Sequence, residues 1–146
     1  MAMAVAARDI GLNAHAAVVD HGLRSESRAE ALLAASALRR LELPTSVLTV
    51  QPGNLAQKSQ GWAREQRLTL LADEARRVGA STILFAHTAE DQAETIAFRI
   101  ARGSGVLGLA GMAELSPLPL WPGGAGLLAA RPLLGQRRTS LRAFLT

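Results

Sequence analysis

The run Ser81-Thr82-Ile83-Leu84-Phe85-Ala86-His87-Thr88-Ala89-Glu90-Asp91-Gln92-Ala93-Glu94-Thr95 changes its hydrophobic period midway. Ser81 to Ala86 is short, apolar and β-rich, and predicts a buried strand. Thr88 to Arg102 predicts a long helix that stops at Gly103-Ser104-Gly105. Upstream the alternation repeats. Gln60 to Val78 predicts a helix ended by Gly79, and Thr45 to Val50 a strand followed by a Pro52-Gly53 turn. Ser27 to Leu43 predicts an amphipathic helix. Ser27 and Glu30 stand at capping-box spacing, Leu32, Leu33, Leu38 and Leu41 supply the apolar positions, and Pro44 follows. Ala14 to Val19 predicts a buried strand ending at Asp20, and Ala2 to Ile10 a short helix closed by Gly11. Helices alternating with apolar strands predict an α/β domain with a doubly wound parallel sheet. Downstream, glycines and prolines interrupt the pattern. Leu127 to Leu134 fits an edge strand, since Pro132 argues against a central one, and Arg137 to Leu145 opens another helix.

Composition narrows the classes. With 146 residues, 49% of them hydrophobic and 19% charged, the chain is one domain and not a disordered segment. The absence of cysteine excludes disulfides, thiolate metal sites and a Cys nucleophile, and fits a reducing cytoplasm. Aromatics at 3%, with no Tyr, argue against a base-stacking platform. Met1 to Ala7 is apolar but too short for a membrane span, and no basic region precedes it as in a signal peptide. The net charge of +4 equals that of the last stretch, where Arg131, Arg137, Arg138 and Arg142 stand without an acid. Such a cluster suits phosphate or RNA contact, or else forms a solvated helix face.

In a parallel sheet, ligands bind beyond the carboxyl ends of the strands. Two polar clusters fall there: Asp20-His21-Gly22-Leu23-Arg24, and the run from His87 to Thr95. His87, Asp91 and Glu94 share one helix face, where they could hold Mg²⁺, orient a base or shuttle protons. Thr88 with Asp91 is equally a capping arrangement, and first-turn acids are favoured by the helix dipole. Arg64 and Arg67, three apart on the second long helix, could grip a phosphate or lie solvated. Gly123 to Gly126 does not link a strand to a helix, which excludes a phosphate loop, and His15 reads as structural.

The order of these motifs is more specific than any one of them. Val19-Asp20-His21-Gly22-Leu23-Arg24, Ala63-Arg64-Glu65-Gln66-Arg67 and Ala86-His87-Thr88-Ala89-Glu90-Asp91-Gln92-Ala93-Glu94-Thr95 come first. Arg102-Gly103-Ser104-Gly105, Gly108-Leu109-Ala110-Gly111-Met112 and Arg131-Pro132-Leu133-Leu134 follow. Together they closely resemble the tRNA(Ile)-lysidine synthetases, N-type ATP pyrophosphatases of the PP-loop family. The resemblance implies a Rossmann-like fold of the adenine nucleotide alpha hydrolase type. It also implies a cytoplasmic ligase that uses ATP and Mg²⁺ to adenylate the C2 oxygen of the wobble cytidine in the CAU anticodon of tRNA(Ile). L-lysine then displaces AMP.

Carried over by motif, the resemblance places Asp20, His21, Arg24, Arg64 and Arg67 around the nucleotide. His87, Asp91 and Glu94 fall at the reacting centre with Asp91 as metal ligand, and Arg102 and Arg131 also match family positions; together with Arg137, Arg138 and Arg142 of the basic stretch they are expected to contact RNA. The chain departs from the family in having no Ser-Gly-Gly-x-Asp-Ser run. Residues 1–146 are therefore expected to be part of an N-terminal catalytic domain, inactive alone. It would lack the pyrophosphate loop, the C-terminal domains, and a first strand lying between those ending at Val19 and Ala86. The alternatives are a non-catalytic nucleotide- or RNA-binding module, or a related PP-loop tRNA-modifying enzyme.

Overall fold

A computed structural model describes residues 1–22, 26–50, 60–103 and 110–145. Ten elements follow in order: α1 (Ala2–Asp9), β1 (Ala16–Asp20), α2 (Ser27–Arg40), β2 (Thr45–Thr49), α3 (Gln60–Arg77), β3 (Thr82–Leu84), α4 (Ala89–Ala101), β4 (Leu115–Pro117), β5 (Leu128–Ala130) and α5 (Arg138–Ala143). The helix and strand positions expected from periodicity hold to within a few residues at each end. Gly79, which ends α3, takes φ +72°, the left-handed conformation that closes a helix cheaply only in a residue without a Cβ.

The α/β class holds, and the strands divide into two sheets. β1 and β2 pair in parallel, with Ala16 opposite Thr45 and Asp20 opposite Thr49, and the crossover helix α2 packs on both. β3 and β5 also pair in parallel, Thr82 opposite Leu128, and β4 adds antiparallel to the far side of β5. No ladder joins β1 to β3 among the described residues, although α3 packs against both. This is the position at which the family resemblance puts a further strand. Ala16 to Val19 and Thr82 to Leu84 are only half-buried, where strands inside a parallel sheet are normally covered on both faces.

The core lies between α3 and the second sheet. Leu68, Ala72 and Ala75 of α3 meet Leu118, Leu127 and Ala129, and Ile83, Phe85 and Leu120 pack around them. Leucines and alanines share this cluster, and its contacts anchor α3, and with it the polar first half of the helix, to the second sheet.

Three expectations are corrected, and one strand was missed. Leu127 to Leu134 is not an edge strand: β5 is the middle strand of its sheet, because it ends at Ala130 and Pro132 falls in the turn beyond. β4 was not legible as a strand, being three residues long and ending on a proline, which its outer-edge position tolerates. Ser27 and Glu30 form no capping box; Glu26 is the N-cap of α2, and the Ser27 hydroxyl is drawn to Asp20. Leu32 and Leu33 face outward, since the inner face of α2 is made by Ala31 and Ala35. The expected Pro52-Gly53 turn lies outside the described residues.

Candidate anion-binding site

β1 ends at Asp20, whose carboxylate turns back into the chain. Its Oδ1 accepts from the Gly22 backbone N–H at 3.0 Å and from the Ser27 hydroxyl at 2.7 Å. The Ser27 bond first, then the Gly22 bond, hold the Asp20 carboxyl below the usual carboxylate range. Asp20 thus fastens the turn after β1 to the start of α2. The next residue, His21, lines an open cavity of about 410 Å³ with Gly61, Ala63, Arg64 and Arg67 of α3. It also lines a neighbouring cavity of about 310 Å³ between β1 and α2, whose wall includes Asp20 and Ala31. Arg24 lies outside the described residues.

β3 and β5 run parallel and end side by side, so the residues just after them share one end of the sheet. These are His87 and Arg131. The His87 ring stacks on Phe85, with centroids 5.7 Å apart, and the Arg131 guanidinium lies 5.9 Å from the Phe85 ring centre. Arg131 is buried, and its Nη1 donates to the Ala113 carbonyl at 2.7 Å and the Ser116 hydroxyl at 3.2 Å.

Electrostatics tie these residues to α3. Burial pushes the His87 imidazole below its usual range, and the charges of Arg131, Arg67 and Arg64 push it further against the pull of Asp91. Burial and then Arg64 lower both Arg67 and Arg131. Arg67 Nε, Arg131 Nε and His87 Nδ1 are buried without a hydrogen-bond partner among the described residues. Buried polar atoms are nearly always paired, and like charges are rarely gathered without a counter-ion. The group is a candidate anion site.

The carboxylates of α4 have other work. Asp91 Oδ2 accepts from the Thr88 N–H at 2.7 Å and the Thr88 hydroxyl at 2.8 Å, while Oδ1 accepts from Arg138 Nη2 at 2.6 Å. The Thr88 N–H above all, then its hydroxyl and Arg138, keep Asp91 ionised to lower pH than an ordinary aspartate. Glu90 accepts the Arg138 backbone N–H at 3.1 Å, and exposed Glu94 stands 3.7 Å from the Arg138 guanidinium. Of the two readings of Asp91, the capping one is realised. Both its oxygens are engaged, and no cluster of three metal-ligating side chains occurs among the described residues. The donor set therefore does not fit the Mg²⁺ expected at Asp91.

The arginines expected at RNA separate into four situations. Arg131 belongs to the anion cluster, Arg138 is committed to Asp91 and Glu94, and Arg102 covers the Phe98 ring at 4.4 Å. Arg137 and Arg142 are exposed at the two ends of α5. The place of Arg131 near His87 was missed from sequence; its signal was its position one residue beyond β5, while His87 stands three residues beyond β3.

A cationic pocket at the carboxyl ends of parallel strands defines a phosphate-handling α/β domain. The chain belongs to the PP-loop domain family, whose pattern it matches over residues 1–146. It is similar to the tRNA(Ile)-lysidine synthase of Hyphomonas neptunium, 45% identical over 130 residues that cover 89% of this chain and 35% of that protein. That of Novosphingobium aromaticivorans is 46% identical over 131 residues, covering 88% and 38%. That of Symbiobacterium thermophilum is 39% identical over 137 residues, covering 91% and 27%. The chain spans about a third of the length of these relatives.

Proposed function

We propose that the chain is the nucleotide-handling part of a cytoplasmic tRNA(Ile)-lysidine synthase. The enzyme would activate the C2 oxygen of the wobble cytidine in a CAU anticodon with ATP, then join it to L-lysine. The observation that carries this reading is the convergence of Arg64, Arg67, His87 and Arg131, with three buried nitrogens lacking partners among the described residues. When the cytidine oxygen attacks the α-phosphorus, pyrophosphate departs and negative charge collects on it. Guanidiniums fixed in place before that moment stabilise the charge without reorganising. Arg67 and Arg131 would supply donors to the leaving phosphates. Arg64, more exposed, would draw the triphosphate in.

His87, with its charged form disfavoured by burial and by three arginines, would stay neutral near pH 7 and could accept or donate a proton through Nδ1. His87 precedes α4 and so does not share a helix face with Asp91 and Glu94, which lie in the first two turns of α4 and, with Arg138, border this group. His21 and Asp20 would flank the nucleoside, where the 310 Å³ cavity is walled by Val18, Val19 and Ala31. Mg²⁺ would have to find ligands outside the described residues or on the triphosphate itself, and no step is assigned to it.

The test is a chimera in which this chain replaces the matched segment of the Hyphomonas neptunium synthase. With ATP and labelled lysine it should charge a tRNA(Ile) bearing CAU and leave one bearing GAU unlabelled. A folded chimera that releases no AMP and incorporates no lysine would overturn the proposal. Binding of tRNA without ATP turnover would favour the non-catalytic module instead.

A further inference from the structure

Gln92 lies on α4, one residue past the capping aspartate, and both the oxygen and the nitrogen of its carboxamide bond a distant backbone residue. Its Oε1 accepts from the Met112 N–H at 2.7 Å, and its Nε2 donates to the Met112 carbonyl at 2.9 Å. A side chain thereby pairs with a backbone residue in both directions, as a neighbouring strand would. The fit is close. Gly111 has φ +68°, and a Cβ there would fall 2.7 Å from Gln92 Oε1, so only glycine admits the amide. Arg99 Nη1 adds a bond to the Gly111 carbonyl at 2.9 Å.

The residues just after this clamp hold Arg131. The Ala113 carbonyl takes Arg131 Nη1 at 2.7 Å, the Glu114 carbonyl takes the Arg131 backbone N–H at 2.7 Å, and Ser116 adds its hydroxyl at 3.2 Å. A buried guanidinium whose Nε is left unpaired is oriented by whatever fixes its other nitrogens. Here that is a carbonyl in an irregular segment, and Gln92 supplies the tie to α4.

We propose that Gln92 is a positioning residue for Arg131: by clamping Met112 it fixes the Ala113 carbonyl, and so aims the guanidinium into the cluster with Arg64, Arg67 and His87. The proposal deepens the reading of that cluster as a phosphate seat. It gives α4 two coupled tasks, presenting His87 at its start and setting Arg131 through its second turn. Partners that orient metal ligands are worth about tenfold or more in affinity, and a loss of about tenfold is expected by analogy for this arginine.

The test compares Gln92→Ala, Gln92→Glu and Gly111→Ala in this chain, together with the double variant that carries Gln92→Ala and Gly111→Ala. Three readouts are followed by NMR and melting: the Arg131 Nε–H signal, the titration midpoint of His87, and affinity for inorganic pyrophosphate. Gln92→Glu keeps the acceptor for Met112 but loses the donor, and guards against a Gln92→Ala chain that does not fold. The expected result is a shifted or broadened Arg131 signal and a His87 midpoint that rises as Arg131 moves away. Pyrophosphate binding should weaken about tenfold, with the double variant no worse than either single one. If the folded variants keep the wild-type Arg131 signal and His87 midpoint, and only melt earlier, Gln92 is a staple and the proposal is wrong. Should the wild-type chain ignore pyrophosphate, the phosphate-seat reading fails, while the Arg131 and His87 signals still decide the role of Gln92.

Discussion

Glu74 offers the sharpest quantitative check on how the site helix is held. It lies near the end of α3 with its carboxylate buried, and Arg77 grips both its oxygens at 2.6 and 2.7 Å. His15, just before β1, reaches Glu74 Oε1 at 3.0 Å and the Ser46 hydroxyl of β2 at 2.9 Å. This network fastens the helix that carries Arg64 and Arg67 to the amino ends of both strands of the first sheet. The Arg77 hydrogen bonds, opposed by burial and helped by Ser46 and the charges of Arg77 and His15, pull the Glu74 carboxyl from 4.5 down to about 2. A folded-state pKa depressed in this way stabilises the fold above the unfolded value and loses that contribution as pH falls from about 4.5 to about 2. At about 1.36 kcal/mol per pH unit, the full shift sets an upper limit of about 3 kcal/mol. Because the Arg77 side chain is 61% exposed and screened by solvent, about 1–2 kcal/mol is expected at neutral pH. Urea melts of wild type and Glu74→Gln at steps from pH 7 to pH 2.5 measure it. The gap between the two should be widest at pH 7 and close progressively below pH 4.5. A gap of constant size across that range would show that the amide disturbs packing and that the ion pair contributes nothing.

Other consequences can be read in the same protein. Arg131→Ala should raise the His87 midpoint, followed by NMR titration, because it removes a charge that disfavours the imidazolium; an unmoved or lower midpoint would separate the two residues. Asp91→Asn should cost about 1 kcal/mol in a thermal melt because it weakens the helix cap. In the chimera the same change should slow lysine transfer only as far as the weakened cap displaces His87, and a loss of orders of magnitude with an unchanged melt would give Asp91 a part in the reaction beyond capping. Replacing exposed Arg137 and Arg142 should lower the salt slope of tRNA binding by about one unit for each phosphate no longer neutralised, with little change in melting. Calorimetry of this chain with Mg-ATP should give a dissociation constant of about 1 mM or weaker and strong salt sensitivity, since charged side chains alone are readily screened. Micromolar, salt-insensitive binding would mean that another phosphate cradle exists.

Regular elements were legible wherever sequence and local physics agree. Gly79 and Gly103 stop helices because the chain needs a left-handed residue there, and both can be read in place. α2 shows where such reading loses its grip. Periodicity assigns its leucines inward, yet Ala31 and Ala35 face the strands and Leu33 is 70% exposed, because a close helix–sheet approach selects small residues over large ones. The same limit governs the site. Arg64 and Arg67 can be paired from their spacing on one helix, whereas Arg131 is 64 residues from Arg67 and falls by sequence with Arg137, Arg138 and Arg142.

What places Arg131 beside His87 is the parallel register of β3 with β5, Leu84 opposite Ala130, and no local pattern encodes a pairing between a three-residue strand and another three-residue strand. Arg138 is drawn in the other direction. Its charge reads as a free cation in sequence, but the fold brings the first turn of α4 against the start of α5, where the Ala89 N–H bonds the Gln136 carbonyl at 2.9 Å and Asp91 meets the guanidinium. One basic stretch therefore holds two kinds of arginine: a buried one whose Nε has no partner among the described residues, and an exposed one spent on holding the helix that follows His87. Charge density in the sequence could locate the stretch, and only the unpaired atom distinguishes the arginine that the proposed function assigns to a phosphate from the one that already has its anion.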